Sequence, residues 1–117
     1  MKFILDYPPS LNALYRNFRG MTLLSREGRA YKQRAGYMAL EQRVKKQDGP
    51  LLVSIHAFRP QRRGDLDNTA KAILDALNGI AWEDDSQIIE LHLYRADDKA
   101  RPRVEIEVSP HPAIGEN

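Results

Sequence analysis

Four aspartates frame one short stretch of the chain, RRGDLDNTAKAILDALNGIAWEDD, residues 62–85. Asp65 and Asp67 come before an amphipathic segment; Asp84 and Asp85 come after it. Carboxylates brought together repel and raise one another's pKa, and a hard divalent cation removes that cost. Mg2+ takes oxygen ligands in an octahedron, few of them from protein, and leaves positions for water and a substrate phosphate. Such a site binds a phosphodiester, acidifies a water and neutralises charge on the leaving oxygen. Lys71, one helical turn beyond Asp67, adds a positive donor for the reacting phosphate. Arg59, Arg62 and Arg63 suit the neighbouring backbone phosphates.

Other chemistries fit this stretch less well. A helix cap at Asp67 or Asn68 explains one residue, but neither Asp65 nor the distant Asp84-Asp85 pair. A calcium loop counted from Asp65 has Ala70 where glycine is needed and Ala76 where a bidentate Glu is needed. Asp65-Leu-Asp67-Asn-Thr69 matches the phosphate-transfer pattern D-x-D-x-T, yet the basic RPQRRG precedes it instead of an apolar strand.

The carboxylates can meet only if the fold brings them back together. Asp65 and Asp67 are read as two apart in an extended segment, with side chains to one side. A helix of about 12 residues then carries the chain roughly 18 Å. The loop 80–85 must return it, and the strand after Ser86 must run beside the one ending at Phe58. The nuclease reading depends on Asp65, Asp67 and Asp85 sharing one pocket.

The remaining elements follow from periodicity. Lys2–Tyr7 reads as a strand stopped by Pro8-Pro9, and residues 10–24 as a long binding loop. Ser25 caps a helix expected to run to about Lys46, with Tyr31, Ala35 and Met38 on one face and Tyr37, Leu40 and Val44 beside it. Leu51–Phe58 is apolar enough for a central strand. Ala70, Ile73, Leu74 and Leu77 form the core stripe of a second helix beginning near Asp67 or Asn68 and ended by Asn78-Gly79. Gln87–Arg95 and Arg103–Val108 are strands, and residues 110–117 a frayed tail. The expected fold is α+β: a single domain over 1–117, a mixed sheet of about four strands packed by two helices, in the order β-α-β-α-β-β.

Composition agrees with one domain: 117 residues, 42% hydrophobic and 29% charged. The absence of cysteine excludes disulfides and thiolate zinc sites and fits a reducing cytoplasm. No apolar run approaches a membrane span, and MKFILDYPPS does not read as a signal peptide. Residues 1–64 hold thirteen Lys/Arg against four Asp/Glu, whereas residues 65–117 hold five against twelve. A basic half joined to an acidic half suggests a polyanion partner and a cation site.

The chain resembles the RusA family of Holliday-junction resolvases along nearly its full length. The resemblance lies in PPSLNALYRNFRG (Pro8–Gly20), SREGRAY (Ser25–Tyr31), RRGDLDNTAKAILDAL (Arg62–Leu77) and WEDDSQI (Trp82–Ile88). It implies a homodimeric, Mg2+-dependent endonuclease, with Mn2+ a plausible substitute and no organic cofactor. Such an enzyme cuts four-way DNA junctions by paired nicks that leave ligatable ends. It implies a bacterial or prophage-encoded cytoplasmic protein with no membrane partner. Carried over by position, Asp65, Asp67 and Asp85 match the metal-binding aspartates, Lys71 the functional lysine, and Asp84 the adjacent carboxylate. Arg16, Arg19, Arg59, Arg62, Arg63 and Asn68 are the expected DNA contacts. The family often carries a longer arginine run before the motif; here Gly64 adjoins Asp65, which bears on local DNA binding. The rival readings are a junction-binding module that does not cut and a generic nuclease.

Several residues have structural uses instead. Trp82 is expected to plug the core beneath Asp84 and Asp85, and Asp75 to pair with Lys71. His56 and His92 read as packing residues on strands. Tyr15 and Phe18 either anchor their loop or stack on unpaired bases.

Overall fold

A computed structural model describes residues 1–61 and 65–112. Its main sheet has the order β1-β6-β4-β5, formed by β1 (Lys2–Asp6), β4 (Leu51–Arg59), β5 (Ile88–Asp97) and β6 (Arg103–Pro110). Alternation builds it. Leu51, Val53, Ile55 and Ala57 of β4 are buried, as are Val104, Ile106 and Val108 of β6, so period-2 apolar residues give the sheet one covered face. Two helices cover it: α2 (Arg26–Glu41) against β1, and α3 (Leu66–Leu77) against β4 and β5. The α+β expectation holds, with β4 central as read.

Strands β4 and β5 are parallel, from Leu51 beside Ile88 to Arg59 beside Asp97, and β6 pairs antiparallel with both β4 and β1. Parallel neighbours need a crossover, and α3 supplies it. Strand β5 lies at a sheet edge.

Residues 10–24 are not a loop. They form a one-turn helix α1 (Leu11–Leu14) and a hairpin of β2 (Tyr15–Phe18) and β3 (Met21–Leu24). The four-residue strands are too short for alternation to show. Ser25 does cap α2, accepting from Gly28 N at 2.9 Å, but the helix stops at Glu41, short of Lys46. Arg43 adopts φ 61 there, and Arg43 N and Val44 N donate to Leu40 O and Ala39 O. This is the left-handed helix stop that glycine usually marks, here without the glycine. Tyr31 and Ala35 face the core as expected, but Tyr37 and Leu40 are exposed. Strand β6 runs on to Pro110, and His111 N bonds Pro50 O at 3.0 Å, so the chain is tied past the point where fraying was expected. Residues 113–117 lie outside the described residues.

Gly28 lets α2 approach α1. A Cβ there would stand 2.2 Å from the Leu14 carbonyl oxygen, so the backbones must separate. Gly28→Ala is expected to cost about 1–3 kcal/mol, read as a lower midpoint in urea denaturation.

Candidate active site

Helix α3 begins at Leu66, with Asp65 as its N-cap, one or two residues earlier than the sequence suggested. Asp65 therefore keeps extended backbone (φ -91, ψ 142) as the cap while Asp67 lies in the first helical turn, so the two do not share one extended segment. An N-cap aspartate normally accepts from a backbone N–H of that turn, but the Asp65 side chain makes no such bond. Its Oδ2 meets Asn68 Nδ2 at 3.5 Å, and Asp67 Oδ1 accepts from Asn68 N at 3.1 Å. Both carboxylates are exposed, as is Lys71 one turn on. Beside them a cleft of about 330 Å³ is lined by Tyr7, Pro8, Ser10, Gln61, Asp65 and Asn68. Tyr7 Oη and Thr69 Oγ1, 3.2 Å apart, tie the Pro-Pro segment to α3.

Asp84 and Asp85 lie elsewhere. Asp84 accepts from Ser86 N at 3.0 Å, and Gln87 Oε1 accepts from Asp84 N at 3.1 Å. This reciprocal cap holds the 3-10 turn Asp85–Gln87 that opens β5. The hydrogen bonds from Ser86 hold the Asp84 carboxyl below the usual carboxylate range. Trp82, fully buried with Nε1 2.7 Å from Asn78 Oδ1, supports the turn from below, as expected.

The one-chain pocket expected from the sequence is not formed. The strand after Ser86 does run beside β4, but in parallel: Ile88 pairs with Leu51, where β4 begins, and Asp85 lies in the turn just before Ile88. Asp65 lies beyond the other end of this nine-residue strand, whose length alone is roughly 26 Å. Among the described residues no three His, Asp or Glu side chains gather as a metal site.

The family model Endodeoxyribonuclease RusA matches residues 6–109. The chain is 32% identical over 108 residues to "Crossover junction endodeoxyribonuclease RusA" of Escherichia coli (strain K12), covering 90% of each chain. The same identity and coverage relate it to the proteins of that name from Enterobacteria phage 82 and Shigella sonnei (strain Ss046). The chain belongs to the RusA family.

In this RusA-family chain the expected DNA contacts have different settings. Arg59 is 2.9 Å from Asp97 and its side chain only 14% exposed, so its charge is answered within the fold, where it ties the ends of β4 and β5. Arg16, Arg19 and Asn68 are exposed. Arg62 and Arg63 lie outside the described residues. Asp75 does not pair with Lys71; it accepts a hydrogen bond from Tyr15 Oη. Burial first, then Asp75, pushes the Tyr15 phenol up, so Tyr15 anchors the hairpin root. His56 is exposed and stacks on Tyr94 at 4.5 Å. His92 Nε2 is 2.6 Å from Glu90, so both histidines are strand residues with structural partners, as read, on the exposed side of the sheet. No described helix is long and apolar enough to cross a membrane.

Proposed function

We propose that this RusA-family chain is an endonuclease that resolves four-way DNA junctions by paired nicks, as a homodimer using Mg2+ or, in its place, Mn2+. Relatives named for crossover-junction cleavage support the reaction. The observation that carries the arrangement is the separation of the two acidic groups along β4 and β5, with β5 an open edge.

An open edge offers unpaired N–H and C=O groups to another strand. Strand β5 has ten residues, with Ile89, Leu91 and Tyr94 exposed; the opposite edge, β1, has five. A two-fold axis beside His92 and Leu93 would pair two β5 edges antiparallel and set Ile88 opposite the partner's Asp97. Asp85 of one subunit then reaches the sheet end that carries Asp65 and Asp67 of the other. Symmetry makes two such sites, matched to two symmetry-related strands of a junction.

The donors suit the cation: they are all carboxylate oxygens, Asp65 and Asp67 are exposed and Asp85 is half-buried, and Asp65 is free of its usual capping bond. Asp65 and Asp67 with the partner's Asp85 would hold it. Bound there, Mg2+ would polarise the phosphodiester and acidify the attacking water. Asp84 positions Asp85 by capping its turn. Lys71 offsets charge that builds on the phosphate, and Arg16, Arg19 and Asn68, with Arg62 and Arg63, serve the flanking backbone.

A synthetic four-way junction tests the proposal. With Mg2+, denaturing gels should show nicks at symmetry-related positions on two strands, none in EDTA, and little cutting of linear duplex. Binding without cutting would instead support the non-cleaving module. Equal nicking of linear duplex would support a generic nuclease.

A further inference from the structure

The β2–β3 hairpin is fixed at its root and bare at its tip. Tyr15 bonds Asp75, and Ser25 N bonds Leu14 O at 2.9 Å. Phe18 pairs with Met21 across the last rung, and Arg19-Gly20, with φ 50 and 77, make the turn. Two positive φ values at a two-residue connection suit a tight hairpin with matched strand twist. Phe18 is 51% and Met21 57% exposed. The Arg16 and Arg19 guanidinium carbons lie 6.0 and 5.2 Å from the Phe18 ring centroid. That is looser than Arg103 over Phe58 at 3.9 Å, so the ring is not closed off.

We propose that this tip reads junction structure: Phe18, with Met21 beside it, takes the face of a base unstacked at the exchange point, while Arg16 and Arg19 hold the converging phosphates. An exposed aromatic ring near two guanidinium groups matches a polyanion that also offers apolar planes. Nucleic acid with an interrupted stack is such a ligand. Intact duplex is not, because its base faces are covered by their neighbours. The contact is blind to sequence, since every base has a π-face. The hairpin root at Asp75 lies eight residues along α3 from Asp67, roughly 12 Å, within a few nucleotides of the carboxylates. This inference rests on the junction reading above.

The test compares affinities in EDTA, so that cleavage plays no part, for a four-way junction and for linear duplex of the same arm sequence. Phe18→Ala should weaken junction binding on the order of ten- to a hundredfold and duplex binding by less than about twofold, because the phosphate contacts remain. Phe18→Trp should restore the preference. In wild type, 2-aminopurine at the exchange point should change emission more on binding than the same probe well out in an arm, and Phe18→Ala should remove that difference. An unchanged junction-to-duplex ratio for Phe18→Ala overturns the proposal, as does a switch from dimer to monomer in sedimentation, which would make the tip a subunit contact. Wild type that binds but never cuts junctions would sink the nuclease reading and leave this one standing.

Discussion

Mixing Asp67→Asn with Asp85→Asn, each inert alone, is expected to restore junction nicking to about a quarter of the wild-type level. Alone, each variant lacks one carboxylate at both sites of its dimer, and loss of a cation ligand should lower cleavage on the order of a thousandfold or more. Junction binding should persist, since phosphate contacts come mostly from other residues. In a mixed dimer, one site receives both substitutions and is dead; the other joins two native sets and works. Random reassortment makes about half the dimers mixed, each with one working site of two. The measurement is single-strand nicking after the variants are co-refolded, because a mixed dimer cuts only one strand of the pair. If both carboxylate groups served the same subunit, every site in every mixed dimer would be broken and no activity would return.

Trp82→Ala should be the most destabilising single change in this part of the fold. Trp82 is fully buried, its Nε1–H is bound to Asn78 Oδ1 at 2.7 Å, and its carbonyl accepts from Gly79 N at 2.7 Å. Truncation empties a large core volume and leaves Asn78 without its donor. The expected loss is about 3–5 kcal/mol, against a total of roughly 5–15 kcal/mol for a domain of this kind. In thermal unfolding followed by far-ultraviolet circular dichroism, the midpoint should fall roughly 10–25 °C. Trp82→Phe should fall less, keeping ring volume while losing the hydrogen bond. Since Trp82 underlies the turn that presents Asp85, nicking by the alanine variant should drop even where it remains folded. A midpoint within a few degrees of wild type would show that the loop above holds itself.

Where burial has a period, the sequence carried the answer. Val104, Ile106 and Val108 read as the inner face of one strand, Ala70, Ile73 and Leu77 as the inner face of α3, and all are buried. Ser25 as a cap and Asn78-Gly79 as a stop were equally plain, because those residue types satisfy helix ends by themselves. The hairpin was hidden, since four-residue strands show no alternation and its signal was one Arg-Gly pair. The early end of α2 was hidden too, because Arg43 takes a left-handed turn without a glycine to announce it.

The candidate residues followed from sequence; their arrangement did not. A helix between two strands already implies parallel pairing, and a parallel strand starts beside its neighbour's start. That logic sends Asp85 to Leu51, away from Asp65, yet the acidic motif alone suggested closeness. Asp75 was similarly drawn to Lys71 by helical spacing, while its bond to Tyr15 came from an element 60 residues away in the chain. Residue types, periodicity and helix ends are local, so the α+β class, the core faces and the acidic and basic groups able to handle a phosphodiester were legible from the residues alone. Strand direction and register are long-range, so it took the folded chain to place these groups at opposite ends of a sheet whose β5 edge is open among the described residues.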